Sequence, residues 1–289
     1  MSNRTLTLLM GVVAVLILVV GGIVLLGLTT GGSDNDSSNP SQTKAPGGDI
    51  CSGNTLITYG DDPASVLDPI QVRDTTSSAY VVEIFSGLVT LDLNLKVQPD
   101  LASSWDISAD RKTYTFHMRD TAVFQSGRPV TAQDIKYSLE RAADPKNNSP
   151  TVTVYLGDIV GLKDRYAGKA QEISGVKVVD DRTIQIQIEE PEEFFLAELT
   201  YPVAFAVDHE QIEKNPRNWT QTPNGSGPFK LASFKPADEI RLVRNDRYYL
   251  GGAKLAEVDF ELGGGSIVTR YQNNELHIGV VPGADIEDV

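Results

Sequence analysis

The chain has 289 residues and a formal net charge of −14 at pH 7, from 39 acidic and 25 basic side chains. A negative excess of this size argues against nucleic acid and anionic lipid surfaces as partners. The single cysteine excludes an intrachain disulfide, so a hydrophobic core has to provide the stability of the fold.

The first element in chain order is an uninterrupted segment of 21 apolar or glycine residues, Leu8–Leu28. As a helix it would be about 31 Å long, which is enough to cross a bilayer. A cleaved secretory signal, the alternative, would have a shorter apolar region and small residues at a cleavage site. We expect an uncleaved transmembrane anchor with residues 1–7 in the cytoplasm, because Arg4 precedes the segment. The expected location is the cell membrane, single-pass, with the body on the periplasmic or extracellular side.

Residues 29–53 are predicted to be a flexible linker, because they are rich in Gly, Ser, Asn, Asp and Pro and lack apolar periodicity. Cys51 lies near the end of this linker. A lipidated cysteine would directly follow the apolar segment behind small residues. We therefore interpret Cys51 as a free or packed thiol.

The body that follows alternates predicted strands and helices, which is typical of an α/β or mixed α+β fold. Residue alternation and turn signals predict strands at 56–59, 113–118 and 258–262, and two hairpins, 176–179 with 184–188 and 230–234 with 240–243. Within Ser78–Val89, Tyr80, Ile84 and Leu88 recur at spacing four, which predicts a helix that ends at Gly87 or just beyond. A second helix is predicted from the capping-box-like Thr131 to Asp144, which precedes a proline.

The sequence contains no residue set typical of a catalytic or metal centre. His117, His209 and His277 are scattered and form no i, i+4 pair of the kind that binds a metal on a helix. Gly225–Gly227 lacks the frame of a nucleophile elbow, and no nucleotide-binding G-x-x-x-x-G-K-[ST] loop is present. We therefore expect no enzyme activity, no catalytic residue, no metal and no cofactor, with a secreted hydrolase as a minor alternative.

Two features are open to more than one interpretation. The run Gly263–Gly265 follows a predicted strand and is either a loop or a hinge between domains. Tyr80 and Tyr155 are either exposed aromatic platforms for a ligand or core residues, and core packing is the more common fate of an aromatic side chain.

A block of consecutive motifs then indicates a family. The motifs are Pro99–Trp105, Lys112–Arg119, Phe124–Asp134 and Ser138–Pro145, followed later by Gly225–Lys230, Leu242–Tyr249 and Tyr271–Ile278. In this order and spacing they closely resemble the signature of the family 5 solute-binding proteins, the oligopeptide, dipeptide and nickel receptors of ABC importers. The segment His277–Gly279 departs from the usual pattern.

The resemblance implies a two-lobed clamp that closes on a solute. We expect a lobe like that of a type II periplasmic binding protein, with a mixed sheet and flanking helices. The implied domains are a first lobe at 54–262 and a crossover into an incomplete second lobe at 263–289. The chain is roughly half as long as a typical member, and the acidic residue that pairs with a ligand amino group in the family comes from the missing part.

The resemblance also implies a substrate-binding wall. Its first-lobe loop maps to Ser77, Ser78, Ala79 and Tyr80, and the further candidates are Thr151, Tyr155, Asn224, Gly225, Ser226 and Gly227. The expected partners are a peptide or other small solute, held like an added strand, and ABC permease subunits with the ATPase on a separate chain. A second hypothesis makes the chain a membrane-tethered sensor or assembly protein that contacts a protein partner without transport.

Overall fold

The computed structural model describes residues 54–63 and 67–280. The predicted cytoplasmic segment, anchor and linker, residues 1–53 with Cys51, lie outside these residues. Over the two described ranges, no helix has the length and apolar character needed to cross a membrane.

The described residues form ten strands and seven α-helices, joined by short 3₁₀ turns. The strands are β1 (Thr55–Tyr59), β2 (Val89–Leu91), β3 (Val97–Pro99), β4 (Ala102–Ile107), β5 (Thr113–Met118), β6 (Val176–Asp180), β7 (Thr183–Gln187), β8 (Phe229–Lys235), β9 (Glu239–Arg244) and β10 (Glu257–Glu261). The helices are α1 (Thr75–Ile84), α2 (Ala132–Ala142), α3 (Val152–Tyr155), α4 (Leu162–Tyr166), α5 (Phe195–Glu198), α6 (His209–Lys214) and α7 (Ile267–Gln272).

The strands form two four-stranded sheets and one small hairpin. The first sheet has the order β1-β10-β9-β8 and is mixed, because β1 runs parallel to β10 and the other pairs are antiparallel. The second sheet has the order β4-β5-β7-β6 and is antiparallel throughout. The hairpin pairs β2 with β3. The fold is therefore mixed α/β, as the sequence predicts.

Both predicted hairpins are confirmed. β6 pairs with β7 and β8 pairs with β9, each antiparallel. Ile184, Ile186 and Ile188 are buried, and the residues of β5 alternate between buried and half-buried positions. One hydrophobic cluster joins the inner faces of both large sheets to α1 and α2.

The predicted capping box at the start of α2 is also confirmed. The Asp134 carboxylate accepts hydrogen bonds from the Thr131 backbone N–H and hydroxyl, both at 2.9 Å. Ile135, Leu139 and Ala142 are buried, as their spacing predicts. The helix ends at Ala142, just before Asp144 and its proline.

The prediction for α1 is wrong at both ends. The helix begins at Thr75 because the Asp74 side chain caps it, and it ends at Ile84 because Phe85 is extended, with φ −119° and ψ 160°. Leu88 is buried outside the helix, just before β2. Apolar residues therefore continue to recur every four positions after the helix has ended.

The segment after β10 turns back onto the first sheet. Gly264 and Gly265 have φ of +100° and +88°, a backbone region that favours glycine. After α7, the His277 N–H donates to the Ile57 carbonyl at 2.8 Å, and Ile278 forms a parallel bridge with Thr58. Gly263–Gly265 is thus a turn between β10 and α7, and the domain boundary at residue 262 stays a prediction.

Candidate functional site

The first group of predicted site residues lies at the N-terminal half of α1. Asp74 accepts hydrogen bonds from the Ser77 backbone N–H at 2.7 Å and from its hydroxyl at 2.9 Å. Ser77 and Ser78 are buried, and Ala79 is half-buried. This end of α1 is therefore fixed by a side-chain cap, with most of the predicted loop inside the protein.

Tyr80 is not an exposed platform, because only 2% of it is accessible to solvent. Its ring packs edge-on against Phe260 with centroids 4.9 Å apart, and its hydroxyl donates to the Asp61 carbonyl at 2.8 Å. Burial raises the pKa of the Tyr80 hydroxyl. Tyr80 thus ties α1 to β10 and is a core residue.

Thr151 and Tyr155 lie next to the segment that enters α1. The Thr151 hydroxyl donates to the Val72 carbonyl at 3.3 Å. Tyr155 stacks on Tyr201 with centroids 3.8 Å apart and planes at 10°, and the Tyr201 hydroxyl reaches the same Val72 carbonyl at 3.4 Å. Because one face of the Tyr155 ring covers Tyr201, only 9% of Tyr155 is exposed, and it is not an open platform for a ligand.

The stacked pair has an acidic neighbour, Glu198, that no sequence motif marks. The Tyr201 N–H donates to the Glu198 carbonyl at 3.1 Å. Glu198 is 8% exposed, and its Oε2 has no hydrogen-bond partner among the described residues. Burial, followed by the negative charges of Asp158 and Glu192, raises the pKa of Glu198 to about 7.

The second group, Asn224–Gly227, lies at the C-terminal end of α1. The Gly227 N–H donates to the Ile84 carbonyl at 2.9 Å, and the Gly225 carbonyl accepts from the Gln125 N–H at 2.8 Å. A Cβ at Gly225 would overlap the Ile84 carbonyl oxygen, so only glycine allows this approach. Ser226 is fully buried, and its hydroxyl has no partner within the described ranges.

Asn224 is bound into a polar network on the same side of the molecule. Its Oδ1 accepts from the Ser126 N–H at 2.8 Å, and its amide donates to Asp208. One Arg128 nitrogen lies 2.6 Å from Asp134 and 2.7 Å from Asp208. Asn224 therefore holds the turn in place through Asp208, which is itself paired with Arg128.

Asp134, Asp208 and His209 bring possible metal-ligand atoms within 4.8 Å of one another. The guanidinium of Arg128 already supplies a cation to both carboxylates. Although burial alone would raise the pKa of Asp134, hydrogen bonds from Arg128, His209 and Thr131 lower it. The arrangement is a buried ion-pair network, which holds the loop before α2 against α6.

The structure thus divides the predicted site residues between the two ends of α1, which is about 15 Å long at ten residues. Ser77, Ser78, Thr151 and Tyr155 belong to one end and Asn224–Gly227 to the other. Tyr201 and Glu198 join the first group although no sequence motif marked them. The only signal for them was the acidic and aromatic composition of residues 190–201.

Comparison with known proteins identifies related chains. The family model for the bacterial extracellular solute-binding proteins, family 5 Middle, matches residues 96–289. The probable deoxycholate-binding periplasmic protein YgiS of Escherichia coli is 34% identical over 233 residues, covering 78% of this chain and 43% of that protein. The periplasmic oligopeptide-binding protein OppA of Salmonella typhimurium is 33% identical, covering 68% of this chain and 36% of that protein.

Solved structures of solute-binding proteins also resemble this chain. The murein tripeptide binding protein MppA of E. coli has a TM-score of 0.74 at 30% identity, covering 81% of this chain and 47% of that chain. OppA of Haemophilus influenzae in complex with the peptide RPPGFSPFR has a TM-score of 0.75 at 27% identity, covering 82% and 48%. The chain spans less than half the length of these relatives. With two thirds of its residues matched by the family model, the chain belongs to the bacterial extracellular solute-binding proteins of family 5.

Proposed function

We propose that this chain forms one lobe of an extracytoplasmic receptor that binds peptides and delivers them to an ABC import permease. The observation that carries the proposal is the likeness to peptide-binding relatives over most of the described body. These relatives include two OppA proteins and MppA, which by their names bind oligopeptides and a murein tripeptide. Members of this family are solute-binding receptors, and we propose the same non-enzymatic role here.

We propose that the peptide contacts the lobe along α1. At the N-terminal end of α1, the candidates are Ser77, Ser78, Ala79, Thr151 and Tyr155, and we add Tyr201, which stacks on Tyr155. At the other end, Asn224–Gly227 provides a rigid turn. Tyr80 supports α1 from inside the core.

Calorimetry on the complete gene product tests peptide binding. A mixed library of di- to hexapeptides is titrated in one arm, and deoxycholate, a nickel chelate and a sugar mixture in three others. We expect heat from the peptide arm. Peptide titrations without heat, together with binding of deoxycholate or nickel, would assign a different solute class to the receptor.

We further propose that Leu8–Leu28 anchors the protein, with the body outside the cytoplasm. The support is the length and composition of the segment, together with the periplasmic location stated in the names of YgiS and the OppA relatives. N-terminal sequencing of protein from the membrane fraction tests it. A mature chain that begins after residue 28 would show a cleaved signal instead.

A further inference from the structure

We infer that His277 forms a pH-sensitive latch, which holds the segment 277–280 on the outer edge of β1 in the first sheet. The latch is closed while the imidazole ring is neutral, and it opens when the ring gains a proton. It governs the attachment of one segment to the lobe and is independent of the proposed peptide-binding function.

His277 contacts β1 through two hydrogen bonds to a single residue. Its backbone N–H donates to the Ile57 carbonyl at 2.8 Å, and its Nδ1 accepts from the Ile57 N–H at 3.1 Å. A ring nitrogen that accepts a hydrogen bond carries no proton, so the imidazole in this contact is neutral. In an imidazolium both ring nitrogens are donors. Protonation would therefore place an N–H of the ring against the N–H of Ile57 and break this bond.

The edge of β1 differs from the other outer edges of the two large sheets. The outer strands β4, β6 and β8 each have an extra residue in their pairing with the neighbouring strand, at Ser103, Val179 and Ala232. Such bulges blunt an edge against further pairing. β1 is also an outer strand, but it pairs with β10 in unbroken register over Thr55–Tyr59. Its edge is therefore suited to receive another segment of chain, and His277 begins that segment.

The rest of the segment adds little to its attachment. Leu276, directly before the latch, is buried. After His277, the Thr58 hydroxyl donates to the Ile278 carbonyl at 3.1 Å, and these two residues form an isolated bridge. The side chains that follow bury little apolar surface, since Ile278 is 39% exposed and Val280 80%. Loss of the bond to the imidazole would therefore weaken the hold on the whole segment.

The charged and titratable groups around His277 are mostly acidic. Arg270 pairs with Glu261 and Glu275, at 3.4 and 3.1 Å. Carboxylates outnumber cations in the set, so a protonated ring that leaves Ile57 lies in a region of net negative charge. The groups are Glu275 before His277, Arg270 and Tyr271 on α7, Tyr59 on β1 with its partner Asp61, Glu257, Asp259 and Glu261 on β10, and Arg241 on β9.

Hydrogen exchange of the complete gene product at two pH values tests the latch. The protection factor of the Ile57 amide, corrected for the exchange rate of an unfolded chain at the same pH, is measured at about pH 7.5 and about pH 5. Histidine side chains ordinarily gain a proton between these values. We expect the protection factor to fall about ten-fold at the lower pH, because the Ile57 N–H loses its acceptor. The amides of β7 serve as the internal reference, since β7 is a central strand without histidine.

The variant His277→Ala identifies the group responsible. It removes the acceptor at both pH values, so we expect low protection of Ile57 at both and a ratio near one. His117→Ala is the matched control, because His117 is also partly exposed and bonds to Asp106 at 2.8 Å, but lies in the second sheet. We expect the control to keep the ten-fold fall.

Two outcomes would overturn the inference. One is an Ile57 protection factor that is the same at both pH values in the unmodified protein, a measurement that does not depend on how the variants fold. The other is a ten-fold fall that persists in His277→Ala, because the proton would then act at another group. Neither measurement uses a peptide, so the result is separate from the test of the proposed function.

Discussion

The two ends of α1 differ in the kind of contact that holds them in place. At the C-terminal end, Asn224 bonds to Asp208, which pairs with Arg128, which also pairs with Asp134. At the N-terminal end, the Asp74 side chain caps the helix, and the Thr151 and Tyr201 hydroxyls donate to the Val72 carbonyl. Removing one partner of a buried ion-pair network costs more than removing one neutral hydrogen bond, because a buried charge is left without a partner. We therefore expect substitutions in the network at the C-terminal end to have the larger effect on stability.

The largest expected effect comes from breaking the network at the C-terminal end. Arg128→Met leaves the carboxylates of Asp134 and Asp208 buried without their shared cation. We expect the free energy of unfolding to fall by about 3–5 kcal/mol, measured by chemical denaturation. The control Lys214→Met removes an exposed pair with Glu210 and should cost less than about 1 kcal/mol. A loss of less than about 1 kcal/mol in the free energy of unfolding of Arg128→Met would mean that the network does not stabilise the fold.

The next prediction concerns two buried glutamates, Glu83 in α1 and Glu198 in α5. Burial raises the pKa of Glu83 to about 7, above its ordinary value of 4.5, so the folded state holds a proton that the unfolded state releases. The contribution of the protonated Glu83 carboxyl to the free energy of unfolding is therefore fully present below about pH 4.5. It is lost as the pH rises through 7. The loss amounts to about 3 kcal/mol at most.

Denaturation at a series of pH values measures this loss. We expect Glu83→Gln to remove part of the decline between pH 4.5 and 7, and Glu198→Gln to remove another part, since the pKa of Glu198 is also raised to about 7. Both buried carboxyl groups would then contribute to the dependence of stability on pH. An unchanged pH profile in Glu83→Gln would show that its carboxyl is ionised in the folded protein.

A third prediction concerns the close approach of the glycine turn to α1. In Gly225→Ala the new Cβ would overlap the Ile84 carbonyl oxygen, so the turn has to move. We expect a loss of about 1–3 kcal/mol in the free energy of unfolding. Gly252→Ala is the control, because the nearest atom to its added Cβ is 3.6 Å away, an ordinary contact. Equal stability of the two variants would show that the turn is not tightly packed on α1.

Local patterns in the sequence predicted much of this fold. Residue alternation located β5 and both hairpins, and the Thr131–Asp134 pair located the start of α2, because each depends on neighbours only a few residues away. The end of α1 was misplaced because Leu88 continues the apolar spacing, while Phe85 is already extended. The spacing of apolar residues predicts which side chains are buried, but it does not show where the helical backbone ends.

The candidate site was less accessible to prediction from sequence. Arg128 and Asp208 are 80 residues apart, and Tyr155 and Tyr201 are 46 apart, so no local pattern links the members of either pair. Tyr80 and Tyr155 were proposed as possible platforms from residue type alone, and both are buried. The partner of a side chain in such pairs is set by the topology of the whole lobe.

The smallest expected effect comes from Ser226, whose hydroxyl is an exception to the pairing at the C-terminal end. It is fully buried and has no hydrogen-bond partner in the described part of the chain. Ser226→Ala removes this unpaired group, so we expect stability to stay the same or to rise by up to about 1 kcal/mol in chemical denaturation.

Ser138→Ala is the matched control, because its hydroxyl donates to the Asp134 carbonyl at 2.7 Å and accepts from the Val207 N–H at 2.9 Å. Its loss should cost about 1–2 kcal/mol. If Ser226→Ala is as destabilising as Ser138→Ala, the Ser226 hydroxyl forms a hydrogen bond in the folded protein. Arg128 Nε would then be the one group of this network, among the described residues, that is buried without a hydrogen-bond partner.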